Sequence, residues 1–293
     1  METFFSLLER RVEDSSSLLC VGLDPHIPDL NEPTAASARD FCLNLVKQTA
    51  PYAAAFKLNA AFFEVFGAEG WTTLKQVIDA IQEESNRLGS LIPVILDAKR
   101  GDIASTAEAY AKSTFETLGA HCITLSPYLG KDSIEPFLSY PEKGVFLLCK
   151  TSNAGSGDLQ DLMVVGADPR VRPNEGDNIE GDHIGSPLHI YVAKLAQTWN
   201  TNNNIGLVVG ATHVDAMKRV RAAAPDLWFL APGVGAQGGE LESALKAGLR
   251  KDGKGMLIPI SRAISRSDNP RKTAAEIRDQ ILEIREQIRR QGE

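Results

Sequence analysis

The stretch Val94-Ile-Leu-Asp-Ala-Lys-Arg-Gly-Asp-Ile103 decides the fold. An apolar run that begins at Leu91 ends by delivering Asp97, Lys99 and Asp102 within six residues. A strand this apolar suits a parallel sheet covered on both faces, as in α/β proteins. Side chains alternate along a strand, so the spacing predicts Asp97 and Lys99 on one face at its carboxyl end. Alone, an Asp-x-Lys pair also fits a surface ion pair at a strand end, which contributes about 0–1 kcal/mol. The neighbouring runs add weight to a site. Lys57 closes a second apolar run, Tyr52-Ala-Ala-Ala-Phe-Lys57, and Asp24 follows a third, Leu18-Leu-Cys-Val-Gly-Leu23. Three consecutive strands therefore bring charge to the same end.

Worked outward from these, the chain alternates strand and helix eight times. Strands are predicted at 18–23, 53–58, 91–97, 121–126, 144–150, 205–211, 227–231 and 255–260. Amphipathic patterns lie between them at 36–49, 71–88, 103–118, 131–140, 188–199, 214–224 and 240–249, with a charged last helix over 270–290. Eight β/α units in roughly 250 residues is the rhythm of a TIM barrel. A doubly wound sheet is the rival. The distribution of polar residues favours the barrel, because Asp24, Lys57, Asp97, Lys99, Ser152 and Arg262 leave early, middle and last strands. Only closure gathers those strand ends around one mouth, where active sites of this fold lie. The chain thus reads as one barrel domain over 1–293. A Gly-, Asp-, Asn- and Pro-rich loop insertion occupies about 155–185, and loops of that length are usually functional or mobile.

The bulk properties exclude other classes. A net charge of −7 argues against a nucleic-acid binder while leaving room for a local phosphate pocket. Cys20, Cys42, Cys122 and Cys149 stand singly in apolar patterns, as reduced core residues do in the cytoplasm. No secretory signal opens the sequence, and no apolar run approaches the roughly 20 residues that span a bilayer. His26, His121, His183, His189 and His213 are scattered without metal-ligand spacing.

Two motifs point to a phosphate. Phe229-Leu-Ala-Pro-Gly-Val-Gly-Ala-Gln-Gly-Gly239 follows the seventh strand and leads into a helix near Glu240. Glycines let backbone N–H groups approach an anion, and a helix amino terminus adds favourable partial charge. After the eighth strand, Arg262 offers a planar fork of donors to the same anion. The loops after strands seven and eight form the recurrent phosphate site of this barrel.

The combined motifs Val21-Gly-Leu-Asp24, Phe56-Lys57, Asp97-Ala-Lys99-Arg-Gly-Asp102, Lys150-Thr-Ser-Asn153 and Pro232-Gly-Val-Gly-Ala-Gln-Gly238 resemble the orotidine 5′-phosphate decarboxylase family, in its longer bacterial form. The resemblance covers nearly the whole chain. It implies decarboxylation of orotidine 5′-phosphate to uridine 5′-phosphate with neither metal nor cofactor. Lys57, Asp97, Lys99 and Asp102 would form an alternating charged network with Lys99 as proton donor. Asp102 and Thr106 would reach into the neighbouring subunit's site, making the enzyme a homodimer with shared active sites. Asp24 would bind ribose hydroxyls, Ser152 the pyrimidine, and Gln237, Gly238 and Arg262 the phosphate. One departure is Ala154, where the resemblance leads one to expect proline. It is expected to loosen the loop carrying Ser152.

The residues suit that chemistry. Loss of carbon dioxide leaves a carbanion in the ring plane, and a fixed ammonium beside it stabilises the localised charge and can then protonate it. Interleaved carboxylates counter the mutual repulsion of two lysines. Two alternatives stay open: a related barrel that uses a divalent ion on a sugar phosphate, and a barrel that only binds a phosphorylated nucleotide.

Overall fold

A computed structural model describes residues 2–164, 185–234 and 238–292. Eight parallel strands close into a barrel: β1 (Leu19–Leu23), β2 (Ala55–Asn59), β3 (Val94–Arg100), β4 (Cys122–Leu125), β5 (Gly144–Lys150), β6 (Ile205–Val209), β7 (Phe229–Leu230) and β8 (Met256–Ile260). Each pairs with its sequence neighbours, and β8 pairs with β1 through Leu19–Ile258 and Val21–Ile260. All eight predicted strands are present, and the doubly wound alternative is excluded by this last pairing. Strands β1, β4 and β6 are buried along their whole length, which is why they read as unbroken apolar runs.

The helices follow the amphipathic patterns closely, as in Ala35–Thr49, Gly67–Leu88, Leu188–Trp199 and Pro270–Gly292. The pattern at 103–118 resolves into an α-helix, Ala104–Lys112, and a wider π turn, Ser113–Thr117. The loop insertion begins with a turn at Ala154–Ser156 and a short helix, Gly157–Gln160. A two-residue antiparallel ladder, Met163–Val164 with Ser186–Pro187, closes its base. Its central residues, 165–184, lie outside the described residues.

One element escaped the sequence reading. Helix Phe4–Ser15, capped by the Thr3 hydroxyl accepting from Ser6 N, buries Phe4, Phe5, Leu8 and Val12. Those spacings are an amphipathic signature, read in the sequence only for its lack of a secretory signal. The Phe5 ring lies parallel to Trp228 at 6.2 Å and edge-on to Phe146 at 5.6 Å. A Cβ at Gly144 would lie 2.3 Å from the Phe4 ring. The helix therefore plugs the amino-terminal end of the barrel, and the carboxyl end is left for chemistry.

Candidate active site

Strand β3 brings its charged residues together by leaving strand geometry. Its ladder with β4 pairs Leu96 with Ile123 and then Arg100 with Leu125, so three residues of β3 face Thr124 alone. Lys99, within that bulge, has φ of 49°, a left-handed conformation costing an L-residue roughly 1–2 kcal/mol. The expectation of simple strand alternation is corrected here. Asp97 and Lys99 do meet, Nζ to Oδ1 at 2.6 Å, but through a turned backbone. Downstream, Ala104 also has a φ of 49°, and a Cβ at Gly101 would lie 2.9 Å from the Ser126 carbonyl oxygen. The loop thus passes too close to the end of β4 for any larger residue.

Asp97 is the hub. Its Oδ2 accepts from Lys57 Nζ at 3.2 Å, and its Oδ1 accepts from both Lys99 Nζ and the Thr124 hydroxyl, the latter at 2.9 Å. Lys57 also faces Asp24, Nζ to Oδ1 at 3.9 Å, and that Oδ1 has no hydrogen-bond partner among the described residues. Burial disfavours the Asp97 carboxylate, but Lys57, Lys99 and the hydrogen bonds from Lys99 and Thr124 outweigh it and hold its pKa below the ordinary value. Burial likewise disfavours the Lys57 ammonium, and Asp24 and Asp97 reverse this, raising its pKa. Lys99 is half-exposed while its ammonium pairs with Asp97.

Of the four residues of the implied network, one chain assembles three. The Asp102 carboxylate accepts from its neighbour's backbone, Ile103 N at 2.8 Å, and makes no ion pair with another described residue. Thr106, one helical turn on, is exposed. Asp24 and Arg262 line a cavity of about 580 Å³ together with His26, Phe62, Gly233 and Ser261. Ser152 sits at the same mouth, pressed between the ends of β6 and β7. A Cβ at Gly210 would lie 2.9 Å from Ser152 Cα, and one at Gly233 would lie 3.3 Å from Ser152 Cβ. Gly238 begins helix Gly238–Gly248, whereas Gln237 lies outside the described residues.

Several residues that shape the site were not singled out in the sequence. Thr124 is an ordinary β-branched strand residue by pattern, with no local signal. Lys150 ends an apolar strand as Lys57 does, so its signal was present. It is buried, and its ammonium bridges both carboxylate oxygens of Asp161 at 2.8 Å. Gln160 accepts from Thr151 N and donates to the Thr151 hydroxyl, while the His189 ring meets the Gln160 carbonyl at 2.9 Å. These bonds hold the Ser152 loop down, and Ala154 opens its turn. His26, one of the histidines without metal-ligand spacing, lines the cavity and packs on Phe62 at 4.2 Å. His121 is structural: Nδ1 accepts from Val94 N, and burial, with help from Lys143, lowers its pKa to about 4. Among the described residues no group of three or more His, Cys, Asp and Glu is arranged to hold a metal ion.

The shifted groups set a pH window. Stability drawn from Asp97 is complete above the unfolded carboxylate value of about 3.9 and is lost as pH falls through the lower folded value. That drawn from Lys57 is complete below about 10.4 and is lost as pH rises through the higher folded value. Lys57→Met leaves Asp97 with Lys99 and Thr124 and removes the ammonium facing Asp24, so it should destabilise by about 3 kcal/mol at pH 7. The loss should shrink near pH 4, where protonation begins to relieve Asp97 once Lys57 no longer holds its pKa down. Denaturant unfolding of both proteins at the two pH values measures this, and an equal loss at both would contradict the coupling.

Comparison with known proteins agrees with the residues. The model of the orotidine 5′-phosphate decarboxylase / HUMPS family matches residues 17–277. The orotidine 5′-phosphate decarboxylase of Roseiflexus castenholzii is 44% identical over 289 residues, covering 97% of each chain. That of Cupriavidus taiwanensis is 43% identical over 292 residues, 98% of each chain. Among solved structures, the OMP decarboxylase of Leishmania donovani superposes with a TM-score of 0.81 at 51% identity, covering 97% of this chain and 98% of that one. With the barrel, the charged mouth and full-length similarity in agreement, the chain belongs to the orotidine 5′-phosphate decarboxylase / HUMPS family.

Proposed function

We propose that the protein converts orotidine 5′-phosphate to uridine 5′-phosphate and carbon dioxide, a step of pyrimidine nucleotide synthesis, without metal or cofactor. The observation that carries this reading is the Lys57–Asp97–Lys99 array beside a cavity bounded by Asp24 and Arg262. The full-length relatives named for this activity support it.

In the proposed reaction the phosphate lies at Arg262 with Gln237 and Gly238, the ribose hydroxyls at Asp24, and the pyrimidine near Ser152. The Asp24 oxygen that has no hydrogen-bond partner among the described residues suits a ligand hydroxyl, since a buried acceptor left unmatched costs about 1–3 kcal/mol. The C6 carboxylate faces Lys99. Its carbon–carbon bond breaks, carbon dioxide departs, and the electron pair stays on C6. The Lys99 ammonium stabilises that charge and gives C6 a proton; the neutral amine is then reprotonated from solvent, to which this side chain is open. The array is held by the protein's own hydrogen bonds, so little reorganisation is needed at the reacting centre. Remote phosphate binding supplies free energy that can hold the ring against the charged groups.

The proposal includes a homodimer in which Asp102 and Thr106 serve the partner subunit's site. Two features support it: Asp102 makes no ion pair with the described residues of its own chain's array, and the exposed apolar residues Val65, Ile103, Tyr128 and Leu129 lie on the segments that follow β2, β3 and β4. The proposed location is the cytoplasm; no helix among the described residues is long and apolar enough to cross a membrane.

Loss of the orotate chromophore, followed by ultraviolet absorbance with chelator present, tests the activity; a folded protein that leaves the substrate unchanged would sink it. Lys99→Ala should bind uridine 5′-phosphate yet show no measurable turnover, and retained turnover would remove the proton-donor role. Arg262→Ala should raise KM by 10- to 100-fold or so, since a charge-assisted hydrogen bond contributes about 1.5–3 kcal/mol; unchanged kinetics would take Arg262 out of the site. Mixing inactive Lys99→Ala and Asp102→Ala proteins should restore about a quarter of wild-type activity, because half the dimers then carry one intact site. No recovery after subunit exchange would argue against shared sites.

A further inference from the structure

We propose that Thr124 is a positioning residue for the reaction: its hydroxyl holds the left-handed backbone of Lys99 and the orientation of Asp97 simultaneously. The inference rests on the functional reading above and concerns a side chain that itself lies outside the cavity lining.

The register shift between Leu96 and Arg100 interrupts the regular ladder between β3 and β4. There the Thr124 hydroxyl serves as acceptor for two N–H groups of β3. Oγ1 accepts from Ala98 N at 3.1 Å and from Lys99 N at 3.0 Å, and donates to Asp97 Oδ1 at 2.9 Å. A hydroxyl has one proton and two lone pairs, so its capacity is used in full. Thr124 is 1% exposed, so water is kept from substituting for it. Its branched Cβ restricts χ1 and thereby fixes the hydroxyl's direction.

Both ends of the Lys99–Asp97 contact are therefore referred to one atom on the adjacent strand. Unlike asparagine or aspartate, lysine has no short side chain to stabilise a left-handed backbone locally, so this support comes from outside. Without the hydroxyl, two part-buried N–H groups lose their acceptor and the Asp97 carboxylate is free to rotate. The backbone at 99 then relaxes toward extended values and carries Nζ away from the reacting carbon.

The test compares wild type with Thr124→Val, Thr124→Ser and Thr124→Cys. Valine keeps the shape and removes all three bonds; serine keeps the hydroxyl; cysteine is of similar size to serine but offers only weak hydrogen bonding. The expected result is a kcat lower by about 100-fold in T124V, the size of effect that a displacement of about 1 Å produces. KM and uridine 5′-phosphate affinity should stay within about threefold of wild type. T124S should recover most of kcat, and T124C should fall well below T124S. A folded T124V with wild-type kcat would overturn the proposal. If T124V does not fold, equal kcat in T124C and T124S overturns it instead. Failure of wild type to decarboxylate the substrate would count against the functional reading alone. The backbone claim would still be decided by a crystal structure of T124V or T124C: an extended φ at residue 99 supports it, and an unchanged φ near 49° refutes it.

Discussion

The Asp97 carboxylate, clasped between two lysine ammonium groups, is the constraint on which the rest of the molecule depends. Burying a lone carboxylate is costly, and pairing offsets that cost only when the geometry is good. Closure of the barrel supplies the geometry. Strand β2 lies beside β3 with Asn59 level with Asp97, so Lys57 reaches across to Oδ2 while Lys99 turns back to Oδ1. The same closure sets Asp24 behind Lys57 and Thr124 behind Asp97. An array of alternating sign in a partly dry mouth is tolerated because each charge faces an opposite one.

A mouth built of charges contributes little net stability, so the barrel is held together elsewhere. At the opposite end Phe4 and Phe5 enter from the first helix and meet Phe146 and Trp228. There Arg221 donates to the carbonyls of Leu227, Gly248 and Gly255 while its guanidinium lies 3.7 Å from the Phe229 ring centroid. These contacts close the loops leading into β7 and β8. Packing at the amino-terminal end and chemistry at the carboxyl end is the division of labour typical of this fold. It lets the β3 bulge persist without threatening the whole structure.

The sequence revealed the barrel and the charged residues because both are periodic or local signals. Unbroken apolar runs such as 18–23 and 205–211 announce buried parallel strands, and Asp97, Lys99 and Lys57 interrupt such runs at their carboxyl ends. The arrangement that makes them a site was less visible. Nothing local marks Lys99 as left-handed, because the cause sits 25 residues away in the Thr124 hydroxyl. The Lys150–Asp161 clamp likewise joins a strand end to a loop whose fold has no periodic signature. Asp102 was legible as a charge, but among the described residues it accepts only from the Ile103 amide. The first helix carried a readable pattern that was simply overshadowed by the barrel.

The turn at Lys99 explains how a half-exposed lysine can be preorganised. A lysine side chain carries about 2 kcal/mol of rotamer entropy, so an ammonium held only by its own rotamers would sample many positions. In a regular strand, side chains two residues apart stand about 6.6 Å from one another, too far for a short carboxylate to reach the neighbouring ammonium unless the lysine bends over. Rotating the backbone at residue 99 moves the whole side chain toward Asp97. The strain is located in the main chain, where part-buried hydrogen bonds to a neighbouring strand can offset it. The Nζ end then needs only the Asp97 contact to fix it. Its open side stays free to face a substrate and to exchange a proton with solvent afterwards.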